Sequence, residues 1–235
     1  MMRRVLVKLS GEALGRNGTL FDLDRFDESA RSLKTIADGG VQLGVVIGAG
    51  NLWRGRRGGA ERVSPVAADH IGMTGTLMNA LQMQDALIRA GAKARTLCAF
   101  DVPRFAEPFT QRGAQAALNA GEIVLLAGGT GHPFFSTDTG VALRAVELKA
   151  DMILLAKNVD GVYDKDPNKH PGAVMLPRLT YDQAISRNLG VMDMTALVLC
   201  RDNRVPMIRV FGLKEPDGLV RAAQGDISFG SVVEP

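Results

Sequence analysis

Aromatic residues are scarce in this chain, 5% of the total, which excludes the exposed stacking platform that proteins of single-stranded nucleic acid require. Cysteine is nearly absent. Cys98 and Cys200 stand alone, without CxxC spacing or metal-set neighbours, so neither a disulfide framework nor a zinc site is expected, and a reducing compartment fits. No apolar run approaches membrane-spanning length. In Met1 to Lys8 two arginines are followed by only three apolar residues before the lysine, too few for a secretory signal, and a cytoplasmic location is the expectation. A large excess of one charge is also missing: 28 basic against 25 acidic residues leave +3, which does not imply nucleic acid. Three familiar nucleotide signatures are missing as well: GxxxxGK[ST], the protein-kinase set and a clean GxGxxG.

What is there is glycine, 27 residues of it, in a chain whose 46% apolar content suffices for a core. Short β-branched runs end in glycine turns and alternate with helical periodicity. Strands are predicted at Val5–Leu9, Val41–Ile47, Thr96–Ala99, Ile123–Ala127, Met152–Ala156, Met207–Phe211 and Ile227–Val233. Between them, Phe26, Ala30, Leu33 and Ala37 mark one helix face. Ser64-Pro65 caps a long helix whose stripe reads Met73, Leu77, Leu81 and Ile88. Further helices are read around 114–120, 140–148, 181–189, 194–204 and 216–224, and Asn158 to Gly172 reads as an irregular loop or hairpin. The pattern predicts an α/β fold, a three-layer αβα sandwich around a mostly parallel sheet of about eight strands. No linker divides residues 1–235. One domain is expected, with an N-terminal lobe to about residue 150 and a C-terminal lobe over about 151–235.

Four glycine-bearing turns follow predicted strands: Lys8-Leu-Ser-Gly11, Gly48-Ala-Gly-Asn51, Gly128-Gly-Thr-Gly131 and Asn158-Val-Asp-Gly161. Singly each is an ordinary turn; together they gather backbone N–H groups at one sheet edge, as phosphate cradles require. Lys8 is anomalous at the end of an apolar strand, where a charge needs solvent or an anion. Thr130 to Asp138 places two phenylalanines among small polar residues. There Ser136 or Thr137 reads as an N-cap and Asp138 as a dipole partner, or the stretch reads as an anion and base pocket. Arg54, in a local cluster with Arg56, Arg57 and Arg62, suits a phosphate, and Asp69 suits ribose hydroxyls; either also reads as an ordinary solvated or dipole-facing charge. His70, His132 and His170 lack metal-ligand spacing.

Together the strings LVKLSGEAL (6–14), VVIGAGNLWRG (45–55), ADHIGM (68–73), GTGHPFFSTD (129–138), KNVDGVYDKDP (157–167) and VMDMTA (191–196) resemble the bacterial UMP kinases of the amino acid kinase superfamily. The lysine and glycine turns are shared with acetylglutamate, aspartate and carbamate kinases; the GTGxPFF string is particular to this family. The resemblance implies phosphoryl transfer from Mg²⁺-bound ATP to UMP, with Lys8 and Asp138 catalytic. It implies ATP contacts from Lys8, Leu9, Ser10, Gly11, Gly50, Arg54, Lys157, Asn158, Tyr163 and Asp166. UMP would meet Ala49, Arg54, Asp69, Thr130, Gly131, His132, Pro133, Phe134, Phe135, Ser136 and Thr137, with Asp193 in support of magnesium or substrate order. A homohexamer with UTP feedback is likewise implied, while differences at Gly15 to Asp22, Gln84 and Ile88 leave GTP activation open. Two site positions depart from the family pattern: Ala49 stands where glycine is usual, and His132 replaces an asparagine. The other readings are a superfamily kinase for a carboxylate, carbamate or isopentenyl phosphate, and a nucleotide-binding protein without turnover. The uracil-pocket string argues against the first; Lys8 with Asp138 argues against the second.

Overall fold

The computed structural model describes residues 3–15, 19–53, 62–215 and 217–235. Its centre is a nine-stranded sheet. In chain order the strands are β1 (Arg4–Leu9), β2 (Gln42–Ile47), β3 (Ala94–Cys98), β4 (Glu107–Pro108), β5 (Ile123–Ala127), β6 (Met152–Lys157), β9 (Arg178–Thr180), β10 (Ile208–Gly212) and β11 (Ser231–Glu234). In space they run β4-β3-β5-β2-β1-β6-β10-β11-β9, and every pairing is parallel except β10 with β11. A separate antiparallel pair, β7 (Val162–Tyr163) with β8 (Met175–Leu176), forms within the Asp- and Lys-rich segment read as a loop or hairpin.

The strands are apolar on both sides because both sides are covered, the condition a parallel sheet demands. Along β1, Val5, Val7 and Leu9 enter one core and Leu6 the other; along β6, Met152 and Leu154 oppose Ile153 and Leu155. The first core lies under α1 (Leu23–Asp38), α2 (Pro65–Arg89) and α7 (Gly218–Ala223). The second lies under α3 (Gln111–Asn119), α4 (Thr137–Leu148), α5 (Tyr181–Ser186) and α6 (Met194–Asp202). Each fully buried Val, Leu or Ile contributes roughly 1.5–3 kcal/mol, so the alternation supplies most of the driving force for the three layers. The expected αβα sandwich is what forms.

Caps fix where the helices begin. Asp22, Ser64, Thr110, Ser136, Thr180 and Asp193 each accept from a backbone N–H of the first turn, satisfying donors that have no intrahelical partner. Two expectations need correction in detail. In α2 only Leu77 of the predicted stripe is buried; the core face runs through Ala68, Leu77, Ala80, Met83 and Leu87, and Ile88 is exposed, because this helix is apolar around most of its circumference and gives no clean stripe. The closing strand begins at Ser231 rather than Ile227. Ile227 is exposed in a turn in which Asp226 accepts from the Ser228 N–H and Gly230 takes a positive φ of 66°. Arg209, missed as a core residue, lies buried within β10; its Nη2 donates to the carbonyls of Asp226 and Phe229 and so braces the same turn.

Candidate active site

The four glycine turns read from the sequence emerge at the carboxyl ends of β5, β2, β1 and β6, which are neighbours in the sheet. Parallel strands deliver these ends to one edge, where open α/β sheets bind ligands. Two of the turns touch directly. A Cβ on Gly11 would lie 2.6 Å from Asn51 Oδ1 and 2.7 Å from Gly50 N, so only glycine lets the short 3₁₀ turn Gly11–Leu14 seat against the Gly48–Asn51 turn. The Gly48 N–H donates to the Leu9 carbonyl at 2.9 Å. Leu9 itself is a core residue, so its contribution at this edge comes from its backbone.

Lys8, the charge at the end of β1, finds its partner across the sheet edge. Its Nζ lies 3.1 Å from Asp138 Oδ1, with about four-fifths of each side chain buried. The geometry is that of an ion pair without an aligned hydrogen bond, since that oxygen has no hydrogen-bond donor. Asp138 sits in the first turn of α4, where the helix dipole favours a carboxylate. Lys157, the last residue of β6, is the third member of this charge cluster. Burial pushes its ammonium below its usual pKa, Asp138 pulls it up and Lys8 pushes it down, while its Nζ donates to the carbonyls of Gly190 (3.1 Å) and Val191. Two lysines and one carboxylate thus meet at this edge of the sheet.

Asp193 locks the start of α4 to the start of α6. Its carboxylate accepts from Ser136 Oγ, from Thr139 Oγ1 at 3.0 and 3.1 Å, and from the Ala196 N–H at 2.9 Å. Ser136 Oγ in turn accepts from the N–H groups of Asp138 and Thr139. The capping reading of the Thr130–Asp138 stretch holds: Ser136 is the N-cap of α4, and Asp138 lies in the turn that this cap fixes.

A cleft of about 280 Å³ opens between this loop and the Gly48 turn. Ala49, Gly50 and Asp69 line one side; Thr130, His132, Phe135, Ser136 and Thr137 line the other. Gly131, with φ 84°, closes the turn by donating its N–H to the Gly128 carbonyl. Pro133 lies within the same loop, and Phe134 faces a second hollow of about 430 Å³ that shares Asp69, Phe135 and Ser136 with the first. Phe134 adopts φ 71°, a left-handed conformation costly for a bulky residue, and the Asp69 carboxylate holds it there by accepting its N–H at 2.7 Å.

The residues expected on the ATP side are less gathered. Ser10 precedes the Gly11 turn and its carbonyl accepts from the Ala13 N–H. Asn158 follows Lys157 and is exposed. Tyr163 donates its hydroxyl to Asp160 at 2.6 Å, and Asp166 accepts from the Asn168 N–H, contacts local to the β7–β8 segment. Arg54, with Arg56 and Arg57, lies outside the described residues; Arg62 is exposed. Three supporting side chains escaped the sequence reading. Fully buried Asn79 donates to the Gly48 carbonyl and to Asn51; Thr76 Oγ1 accepts from the Gly128 N–H; and Arg144, stacked 3.8 Å over Phe109, donates to the Gly129 carbonyl. A polar residue inside an apolar helix run was the available signal for each.

The amino acid kinase family model matches residues 3–210, a span that includes all four turns and most of both core layers. The chain belongs to the amino acid kinase family. That membership makes it a kinase with the family's fold. Within the family it is similar over nearly its whole length to a UMP kinase from Bacillus anthracis (35% identity, 99% of this chain and 96% of that one, TM-score 0.93). It is also similar to a UMP kinase from Ureaplasma parvum (30% identity, 100% of both chains, TM-score 0.93) and, with a looser fit, to a uridylate kinase from Archaeoglobus fulgidus (27%, 97% and 99%, TM-score 0.72). No described helix is long and apolar enough to cross a membrane.

Proposed function

We propose that this amino acid kinase transfers the γ-phosphoryl group of ATP to UMP, forming UDP and ADP in pyrimidine nucleotide synthesis. The observation that carries the reading is the cleft itself: the GTGHPFFSTD loop and the Gly48 turn face one another across it, in a chain similar end to end to proteins named UMP kinases. On this reading the N-terminal lobe, residues 1 to about 150, holds UMP, and the remainder holds ATP over the Lys157 strand end.

The chemistry needs no general base. A UMP phosphate oxygen, ionised at neutral pH, forms the new bond to the γ-phosphorus as the bond to the β,γ-bridging oxygen breaks and ADP departs with that electron pair. Lys8 neutralises charge on the transferring group, and Asp138 holds the Lys8 ammonium in place. The backbone N–H groups of the Gly11 and Gly48 turns orient the two phosphate chains. Among the described residues no three metal-ligating side chains cluster, so the donor set suits a Mg²⁺ carried on the ATP phosphates, with Asp138 as the carboxylate nearest the lysines, rather than a resident metal cage. When bound, that ion would offset the charge of the triphosphate. Hexameric assembly and UTP feedback belong to the same reading through the family resemblance, which the differences at Gly15 to Asp22, Gln84 and Ile88 do not extend to activation by GTP; the cytoplasmic location rests on the sparse cysteines.

ADP release from MgATP by the purified chain tests the assignment when UMP is compared with CMP, AMP, GMP, acetylglutamate, aspartate, carbamate and isopentenyl phosphate. Turnover confined to UMP supports it; turnover with a carboxylate or carbamate acceptor replaces it.

A further inference from the structure

We propose that Asn79 and Asn51 form a positioning unit that fixes the Gly11 turn relative to the Gly48 turn, and hence the donor phosphates relative to the acceptor phosphate. The inference deepens the kinase reading above and rests on it. Asn79 lies in the middle of α2 with no solvent exposure, a costly place for an amide unless every polar atom is used. Its Nδ2 donates to the Gly48 carbonyl at 2.8 Å and to Asn51 Oδ1 at 2.8 Å. Asn51 Nδ2 donates back to Asn79 Oδ1 at 3.1 Å and to the Leu20 carbonyl at 2.6 Å. The two amides thus close a reciprocal ring, and each uses its remaining hydrogen on a different backbone segment.

The position of the ring gives it a role beyond packing. Asn51 Oδ1 is one of the atoms nearest the open side of Gly11, together with Gly50 N, so the pair sits against both glycine turns at their point of contact. The same helix carries Asp69 at the rim of the acceptor cleft and Thr76, which holds the Gly128 N–H at 2.9 Å. A rigid α2 therefore references the acceptor loop and both phosphate turns to one scaffold, and Asn79 is its fully buried contact with the turn pair. Neither amide is placed to enter the chemistry. Their effect is on alignment, which governs the transferring geometry more than the capture of either nucleotide alone.

Asn79→Asp retains shape while removing both Nδ2 donations, and Asn51→Ala opens the same ring from a less buried position. Relative to wild type, each variant is expected to lower kcat with MgATP and UMP by roughly 10- to 100-fold while the dissociation constants of ATP and UMP, measured separately by calorimetry, change less than about threefold. An unchanged kcat, or a loss matched by weakened binding of one nucleotide, overturns the proposal. A readout independent of the acceptor accompanies it: amide hydrogen exchange in the free protein. Residues 8–14 and 47–53 should lose protection together in both variants; loss confined to 47–53 also overturns the pairing. If wild type does not phosphorylate UMP, the functional assignment falls, and the exchange result still decides the positioning role.

Discussion

Lys8 and Asp138 form an ion pair at 3.1 Å although one ends a strand and the other begins a helix. Lys8 is charged at the end of an apolar strand, where it needs a partner, and Asp138 supplies one from the first turn of α4. The pair is joined by Lys157, whose depressed pKa reflects burial among these groups. The three groups are thus gathered at one sheet edge by the fold itself.

If Lys8 acts on the transferring phosphoryl group, Lys8→Ala should lower kcat by about 10²–10³ or more while leaving the UMP dissociation constant within about threefold. Steady-state kinetics with calorimetry checks this. A near-normal rate would remove Lys8 from the mechanism.

Asp193 serves as N-cap of α6 and as acceptor for Ser136 and Thr139, so its removal should be felt both in stability and at the site. Asp193→Ala should cost roughly 2–4 kcal/mol in urea unfolding, combining a lost cap with unpaired hydroxyls, and should lower kcat as the start of α4 loosens around Asp138. A cost under about 0.5 kcal/mol, the range of ordinary surface changes, would show that the carboxylate is dispensable.

The methyl group of Ala49 has a structural counterpart. A Cβ at Gly75 would lie 2.8 Å from Ala49 Cβ. Gly75→Ala alone should therefore lose the gain of up to about 1 kcal/mol that alanine usually brings to a helix interior. In an Ala49→Gly background the same change should recover it. A double-mutant cycle measures the coupling, expected at about 0.5–3 kcal/mol; additivity of the two changes would mean the turn relaxes without cost.

Lys157 gives a pH signature. Its folded-state pKa lies below the ordinary 10.5, so between those two values the unfolded chain binds more protons and stability rises with pH. The stability of wild type relative to Lys157→Met should therefore be lowest and flat below the depressed pKa, climb as pH rises through it, and level off above 10.5. Parallel pH profiles for the two proteins would contradict the desolvation that sets the shift.

Much of this was legible in sequence because the informative signals were local. Apolar β-branched runs ending in glycine announce buried parallel strands, and Ser64-Pro65 or Ser136 announce helix starts from a few residues each. Lys8 was visible because a lysine interrupts an apolar strand. What local pattern could not disclose depends on contacts between distant segments. The two-residue strand β4, the antiparallel turn of β11 beside β10, and the reciprocal amides of Asn51 and Asn79 have no periodic signature. Their partners are known only once the layers are stacked. Helix α2 misled for a related reason: an apolar circumference offers several equally good stripes, and the packing of Leu77, Ala80, Met83 and Leu87 chooses among them.

The most direct test of the central claim follows the phosphoryl group itself. Purified protein is given ATP labelled in its γ-phosphoryl group together with UMP and Mg²⁺, and the products are separated from those of Lys8→Ala run in parallel. The account predicts that the label appears in the β-phosphate of UDP with wild type and at about 10²–10³-fold lower rate with the variant. Label found only as inorganic phosphate, or transferred equally well without Lys8, would contradict it.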